Sequence, residues 1–488
     1  MQVKSILGFA IGPIISALLG IITIPVLSWL FVPADIGRLN VFQVSLSFTL
    51  LLSMLGLDQA YVREFHEVSN TSLLLKSCFR PGFYLLLVGA SVSLPFSNDL
   101  SSWLFGEVDP WFYPLILVCI LTSYISRFLS LILRMQERGL AFSISQIMLK
   151  TSQLILLGVV LWTGAMRNFL TLLWITVAST LTVVLVYAWS TRKEWLPALE
   201  TQPDPGQTRA LLKFGLPLVI SGLAYWGLTA TSTLVLRSQS TLDELGIYSV
   251  TSNFAGAATI FQSIFTVIWA PTVYKWVADG VDMVRVDTVA RQALSVVCAI
   301  FVVTGIFSWL TDYILPVHYI SVKYLVLCAI APPLLYTLSE ITGVGIRISR
   351  RTKLSVWVTL AALAANVLLN LWLVPKHGAS GAVMANALAH VVFFVAGTEA
   401  SAHVWRQFPR NKLYLCVGFA TAFAVATVLF GPTALIHYAL FWLAALPLVG
   451  WLFCKEWIEL ISAGRLCLGQ KFFSSLLGDK STYSVKKK

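Results

Sequence analysis

Apolar residues run along this chain in blocks of about 20, the length a helix needs to cross a hydrocarbon core about 30 Å thick. The blocks fall near 8–30, 40–61, 77–97, 111–133, 141–163, 169–190, 211–236, 246–270, 292–312, 322–345, 354–374, 379–400, 413–431 and 433–453, about fourteen in all. Only Gly431 and Pro432 separate the last two, so twelve spans plus a re-entrant or interfacial segment is the alternative. Polar positions inside the blocks are ordered. In "SISQIMLKTSQLILLGVVLW" (143–162), Ser143, Gln146, Lys150 and Gln153 recur at helical spacing and share one face, with Ile147, Leu149, Leu154, Ile155 and Leu157 on the others. Ser123, Arg127, Ser130 and Arg134 form a second such stripe. The pattern predicts an all-α polytopic membrane protein.

Composition agrees: 57% of the 488 residues are hydrophobic and 11% charged, against about 25% charged in soluble domains. Mean hydropathy is +0.81. The net charge of +12 has a topological cause. With the N-terminus in the cytoplasm, one side collects about 25 Lys and Arg, including Arg134, Arg138, Arg192, Arg347, Arg350, Arg351, Arg406 and Lys412, and the other about four, Arg38, Arg167, Arg237 and Lys376. That asymmetry predicts an even number of spans and cytoplasmic termini. The first apolar run is too long for a cleavable signal and lacks a small-residue cleavage site. The seven cysteines fall mostly inside apolar runs without metal or redox spacing and read as small hydrophobes.

External loops are short, and the longest internal connection holds "ETQPDPGQT", a solvated linker after six spans. The two sides of the linker resemble each other. "ADIGRLNVF" (34–42) matches "DELGIYSVT" (243–251) at an offset of about 209, and "RMQERGLAF" (134–142) matches "RISRRTKLS" (347–355) at about 213. Chance similarity of short turns is the competing reading. Two six-span repeats of like orientation predict an N-terminal lobe at 1–190, a linker at 191–210, a C-terminal lobe at 211–400, an additional pair of spans at 401–454 and a basic cytoplasmic tail at 455–488. Trp457, Ile458, Ile461, Leu468, Phe472 and Phe473 give the tail the pattern of an interfacial amphipathic helix.

Ionisable groups inside spans are costly and face bundle interiors or wet cavities. Lys150 and Arg127 are the leading candidates for a cationic cavity, against ion pairing or snorkelling to the interface. Arg80 and Lys323, nearer the ends of their spans, are further candidates. Asp58 and Glu340 are partners for these cations or proton carriers in a coupled cycle. Gln146, Gln153, Asn366 and Asn370 are candidate polar lining, with interhelical hydrogen bonding as the alternative; the same two readings apply to Tyr225 and Thr229. A cationic cavity suits a ligand carrying phosphate or carboxylate. There is no Walker loop, nucleophile elbow or metal-ligand spacing, and no cofactor is implied. The charge finds its cause in the membrane rather than in nucleic acid.

"LLGIITIPVLSWLFVPADIGRLNVF" (18–42), "LGLDQAYVREF" (55–65), "LGIYSVTSNF" (245–254) and "NVLLNLWLVPKHGASGAVMANALAH" (366–390) resemble the Wzx-type O-antigen and polysaccharide flippases of the multidrug/oligosaccharidyl-lipid/polysaccharide exporter superfamily. The resemblance spans nearly the whole chain. It implies two six-helix lobes in a V around a central, cationic cavity that opens alternately inward and outward, the fold shared with multidrug exporters. It implies movement of an undecaprenyl-pyrophosphate-linked oligosaccharide across the bacterial inner membrane, in contact with membrane lipids, with a polysaccharide polymerase and a chain-length regulator as candidate partners. Fourteen spans resemble the peptidoglycan lipid flippases of the same superfamily. A cation-coupled multidrug exporter and a membrane polymerase or ligase are the competing readings. The first would favour embedded acids, and the second a sizeable external loop.

Overall fold

The structure, a computed structural model, describes residues 3–462 apart from 203 and 283. The first half contains α1 (Val3–Leu30), α2 (Pro33–Met54), α3 (Leu57–Glu64), α4 (Thr71–Ser93), α5 (Ser97–Phe105), α6 (Phe112–Met135), α7 (Gly139–Thr163) and α8 (Phe169–Ser190). After α9 (Arg192–Glu200) come α10 (Pro205–Gln239), α11 (Leu242–Phe254), α12 (Gly256–Ala278), α13 (Val284–Phe307), α14 (Thr311–Ile314), α15 (Val322–Thr342), α16 (Val344–Ile348), α17 (Thr352–Val404) and α18 (Asn411–Leu452). Local chemistry fixes several of their starts. Asn70, Asn168 and Thr241 accept the amide three residues on, and Asp204 caps α10 ahead of Pro205.

Two of these helices double back. A straight α17 would be about 80 Å long at 1.5 Å per residue. It reverses at Gly378, whose backbone has φ 52° and ψ −128°, and its arms then run side by side, so that a Cβ at Gly397 would lie 3.7 Å from Val358. In α18, Phe423 stacks on Phe441 with centroids 3.6 Å apart, and Lys412 Nζ donates to the Leu452 carbonyl at 3.1 Å. Contacts between residues so far apart in sequence require antiparallel arms, so the last two apolar runs form a hairpin that reverses near Gly431 and Pro432. Among the described residues ten helices are long and apolar enough to cross a membrane, and one bent pair makes eleven. Ile14–Leu30 of α1 is a shorter apolar helix, and α17, counted once, has two arms.

The N-terminal halves of α2 and α11 meet under a local two-fold relation. A Cβ at Gly37 would collide with the Leu242 carbonyl oxygen, and one at Gly246 with the Pro33 carbonyl oxygen. Asn40 Nδ2 donates to Ser249 Oγ at 3.2 Å. Pro33 and Leu242, Gly37 and Gly246, and Asn40 and Ser249 are each separated by 209 residues. Each repeat therefore presents the same patch to the other, the signature of an isologous interface. The acids follow the same rule. Asp35 lies against the Phe169 amide at the start of α8, and Glu244 accepts from the Ala379 amide at 2.7 Å at the start of the second arm of α17. The halves are thus two lobes, α1–α8 and α10–α17, which meet at one end through α2 against α11 and farther along through α2 and α3 against α10.

The linker is more ordered than its composition suggests. It holds α9, whose Ala198 is buried and whose end accepts two hydrogen bonds from Lys76 Nζ, to Leu199 O at 2.7 Å and Thr201 O at 2.6 Å. The span placed at 40–61 starts at Pro33 and breaks at Leu55 and Gly56, both with positive φ. The α18 pair packs on the C-terminal lobe, its Trp442 against Gly305 of α13 and its Gly431 against Tyr324 of α15. Beyond it a helix at Cys454–Ser462 turns by 70° with Ile458 and Ile461 exposed. Leu468, Phe472 and Phe473 lie outside the described residues.

Gly246→Ala should destabilise the protein by about 1–3 kcal/mol, because the new methyl meets backbone rather than a flexible side chain. Gly89→Ala, with nothing within 4 Å, should be neutral or mildly stabilising. Thermal unfolding of the two purified variants in detergent checks the contrast.

Candidate functional site: a cavity beside the α2–α3 break

The break between α2 and α3 builds the site. With Leu55 at φ 51° and Gly56 at φ 68°, the chain turns and restarts, so Asp58 falls in the first turn of α3, where a helix N-terminus favours a carboxylate. Glycine at 56 is needed twice over. Its φ is positive, and its Cα lies against the Gly215 carbonyl of α10, while a Cβ on Gly215 would in turn strike the Leu55 carbonyl. The break is thereby pinned to the other lobe.

Beside it lies a cavity of about 630 Å³, lined from α2, α3, α6, α7, α8 and α10. Its polar wall comes from the N-terminal lobe: Asp58 and Gln59 on α3, Ser123, Ser126, Arg127 and Ser130 on α6, Ser145 and Gln146 on α7. The C-terminal lobe supplies Leu218, Val219 and Gly222 of α10. Arg127 Nη2 donates to Asp58 Oδ2 at 2.7 Å. The arginine side chain is 45% exposed and the aspartate 11%, so one edge of the guanidinium is fixed by the carboxylate and the rest is open. A planar cation held in this way is set to receive an anionic oxygen through its remaining N–H groups.

Lys150 is one turn beyond Gln146. Its Nζ donates to Gln153 Oε1 at 3.3 Å, and no carboxylate pairs with it among the described residues. Gln146 and Leu149 line the cavity, whereas Ser143 accepts from the Gly12 amide of α1 at 3.0 Å and is buried. Lys150 therefore sits on the flank of α7, between its cavity face and the face that α1 covers. Helical spacing put Ser143 in the same stripe but carried no information about α1.

The other sequence candidates are not brought to this cavity. Arg80 is exposed on α4, with Nε donating to the Tyr84 hydroxyl at 2.8 Å. Lys323 pairs with Asp312 at 2.7 Å at the far end of α15. Glu340 pairs with Arg347 at 2.8 Å. Asn366 and Asn370 are fully buried; Asn366 Nδ2 donates to the Leu228 carbonyl at 2.6 Å, and Asn370 Nδ2 to Asn366 Oδ1 at 2.7 Å, which joins α17 to α10. Gln59, Ser126 and Ser145 line the cavity without having been singled out. Gly56 was the available signal for Gln59, since a glycine before an acid marks a helix restart.

The two lobes are related by a local two-fold, and a cavity with one polar wall lies where α10 meets the N-terminal lobe, with no extramembrane domain among the described residues. The chain is similar in fold to the lipid II flippase MurJ in an inward closed conformation (TM-score 0.67, 12% identity, 93% of this chain and 99% of that one). It is also similar to an inward-facing multidrug resistance MATE family transporter of the MOP superfamily (TM-score 0.53, 14% identity, 80% and 95%). No curated protein matches by sequence. The family follows from residues 3–277, which match the polysaccharide biosynthesis protein family; the chain belongs to it.

Removing one member of the Arg127–Asp58 pair leaves the other partly desolvated. Asp58→Asn and Arg127→Gln should each lower stability by about 1–2 kcal/mol, and the double variant should cost less than their sum. A double-mutant cycle on thermal unfolding measures the coupling.

Proposed function

We propose that the protein is a flippase that carries an undecaprenyl-pyrophosphate-linked oligosaccharide, the repeat unit of an O-antigen, capsule or exopolysaccharide, across the bacterial inner membrane by alternating access. The observation that carries this reading is the half-open Arg127 guanidinium on the polar wall of an interlobe cavity, in a chain of the polysaccharide biosynthesis family. A phosphate leaving the headgroup layer loses hydration, and a preoriented cation in a low-dielectric cavity offsets that loss. Lys150, without a carboxylate, supplies a second charge at the edge of the site. The serines and amides around Arg127 suit sugar hydroxyls. On α10, Tyr225 and Thr229 continue the helical face of Leu218 and Gly222, and both are exposed. Tyr225 packs edge-on to Tyr336, which stacks on Phe393. These rings offer apolar faces to a pyranose.

Orientation rests on charge: the face carrying Arg134, Arg138, Arg347, Arg350 and Arg351 is cytoplasmic. A cation-coupled drug exporter would be served by carboxylates open to the cavity. Asp58 and Glu340 are instead each committed to an arginine.

Loss of the protein should leave cells without one surface polysaccharide and with its lipid-linked unit on the cytoplasmic leaflet. Accumulation of unpolymerised units on the outer leaflet would instead indicate the polymerase. In a complemented deletion strain, Lys150→Ala should strongly reduce surface polysaccharide at normal membrane abundance, Lys150→Arg should retain part of it, and Lys150→Glu should be at least as damaging as alanine. Immunoblots of membranes run alongside; full activity of Lys150→Ala would remove Lys150 from the site. Cytoplasmic reporters should be active at Arg138 and near residue 205, and periplasmic reporters near Asp99 and Lys376.

A further inference from the structure

Two short helices at the end of the molecule where α2 meets α11 have no place in the cavity. In the N-terminal lobe, a 3-10 turn at Leu94–Phe96 leads into α5. In the C-terminal lobe, a 3-10 turn at Ser308–Leu310 leads into α14. Each is rooted in its own lobe by a buried side chain at its end. Phe105 packs on Phe112 and Phe169, and Leu315 is buried in the core. Each ends in helix-terminal carbonyls that the helix itself cannot satisfy.

Those carbonyls are met from the opposite lobe. Arg237, in the last turn of α10, donates through Nε to the Leu104 carbonyl at 2.7 Å and, at 3.4 Å through Nη2, to the Ser102 carbonyl, which also accepts from the Gly106 amide. Trp29, in the last turn of α1, donates through Nε1 to the Ile314 carbonyl at 2.9 Å. The first helix of each lobe thus ends on the short helix of the other. Trp29 and Arg237 hold equivalent places in the two repeats, at the common offset of about 209, and so do Leu104 and Ile314. Crossed contacts repeated under the two-fold are not expected of two unrelated surface loops.

We propose that these contacts are a pair of crossed latches that hold the cavity shut on this face, and that Arg237 and Trp29 are the gating residues. The two are unequal. Arg237 brings a charge to the C-terminus of α5, where the helix dipole favours a cation, and its bonds are charge-assisted. Arg38 sits at the same helix end, with Nε on the Phe105 carbonyl, but it is neutralised within its own lobe by Asp35 and Glu107, at 2.6 and 2.5 Å. Arg237 has no carboxylate within ion-pair distance among the described residues, so all its polar contacts across this gap are to backbone carbonyls of α5. Trp29 makes one neutral hydrogen bond from a ring that is 63% exposed. The face opens only when both sets of bonds and the α2–α11 contact beside them part together, with the Arg237 side the stronger latch. The inference rests on the alternating-access reading above.

The test reads the gate directly. Spin labels at Asp99 and Asp243, both exposed and in opposite lobes, are introduced as encoded amino acids into the full chain in lipid nanodiscs, and pulsed electron resonance gives the interlobe distance distribution. Trp29→Phe keeps an aromatic ring but removes the indole N–H and part of the ring's bulk; Arg237→Met keeps an unbranched apolar stem and removes charge and donors. The long-distance, open population relative to the closed one should rise about fivefold in the first and about twentyfold in the second. Arg237→Lys should fall between the parent and Arg237→Met, and the double variant should exceed either. An unchanged distribution in a double variant that melts like the parent would overturn the proposal. The flippase reading fails separately: if deletion of the protein leaves surface polysaccharide intact, the distances still decide the latch.

Discussion

The structure depends on how closely two helix backbones can approach in a lipid environment. Between apolar helices in a bilayer, association rests on close packing rather than on the expulsion of water. At the meeting of α2 and α11 that packing reaches its limit, since the glycines at 37 and 246 let each helix rest on a carbonyl of the other. Because each half contributes the same patch, one sequence motif used twice makes the joint. Everything else is positioned by it. The cavity lies toward the other end of α2, where Gly56 against Gly215 repeats the device.

The charges obey a second constraint, the cost of leaving an ion unsatisfied away from water. Arg127 with Asp58, Glu340 with Arg347 and Lys323 with Asp312 are all paired within hydrogen-bonding distance. Pairing removes most embedded charge from circulation. The open edge of Arg127 remains on the cavity wall, and Lys150 stands on the flank of α7 beside it.

Much of the architecture could be read from sequence. Apolar run length marks the passes, the offset motifs mark the repeat, and the Gly431-Pro432 boundary coincides with a reversal. The spacing of Ser123, Arg127 and Ser130 is enough to place them on one wall, because α6 is unbroken there. What could not be read depends on neighbours or on isolated torsions. The apolar run carried Asp58 into a span at 40–61 as though α2 continued, when two positive φ values intervene. Helical periodicity grouped Ser143 with Lys150 without showing that α1 covers the serine. The helices α5 and α14 are too short to show a period, and their partners are far away in the chain.

Among the described residues the terminal hairpin α18 packs chiefly on α13, α15 and α17, all in the C-terminal lobe. Trp442 over Gly305 and Tyr324 against Gly431 lock it there. It is therefore cargo of one lobe rather than a clamp on both. Such an appendage can be gained, lost or altered without disturbing the joint between the halves, and a fluorophore fixed to it would report the swing of the C-terminal lobe alone.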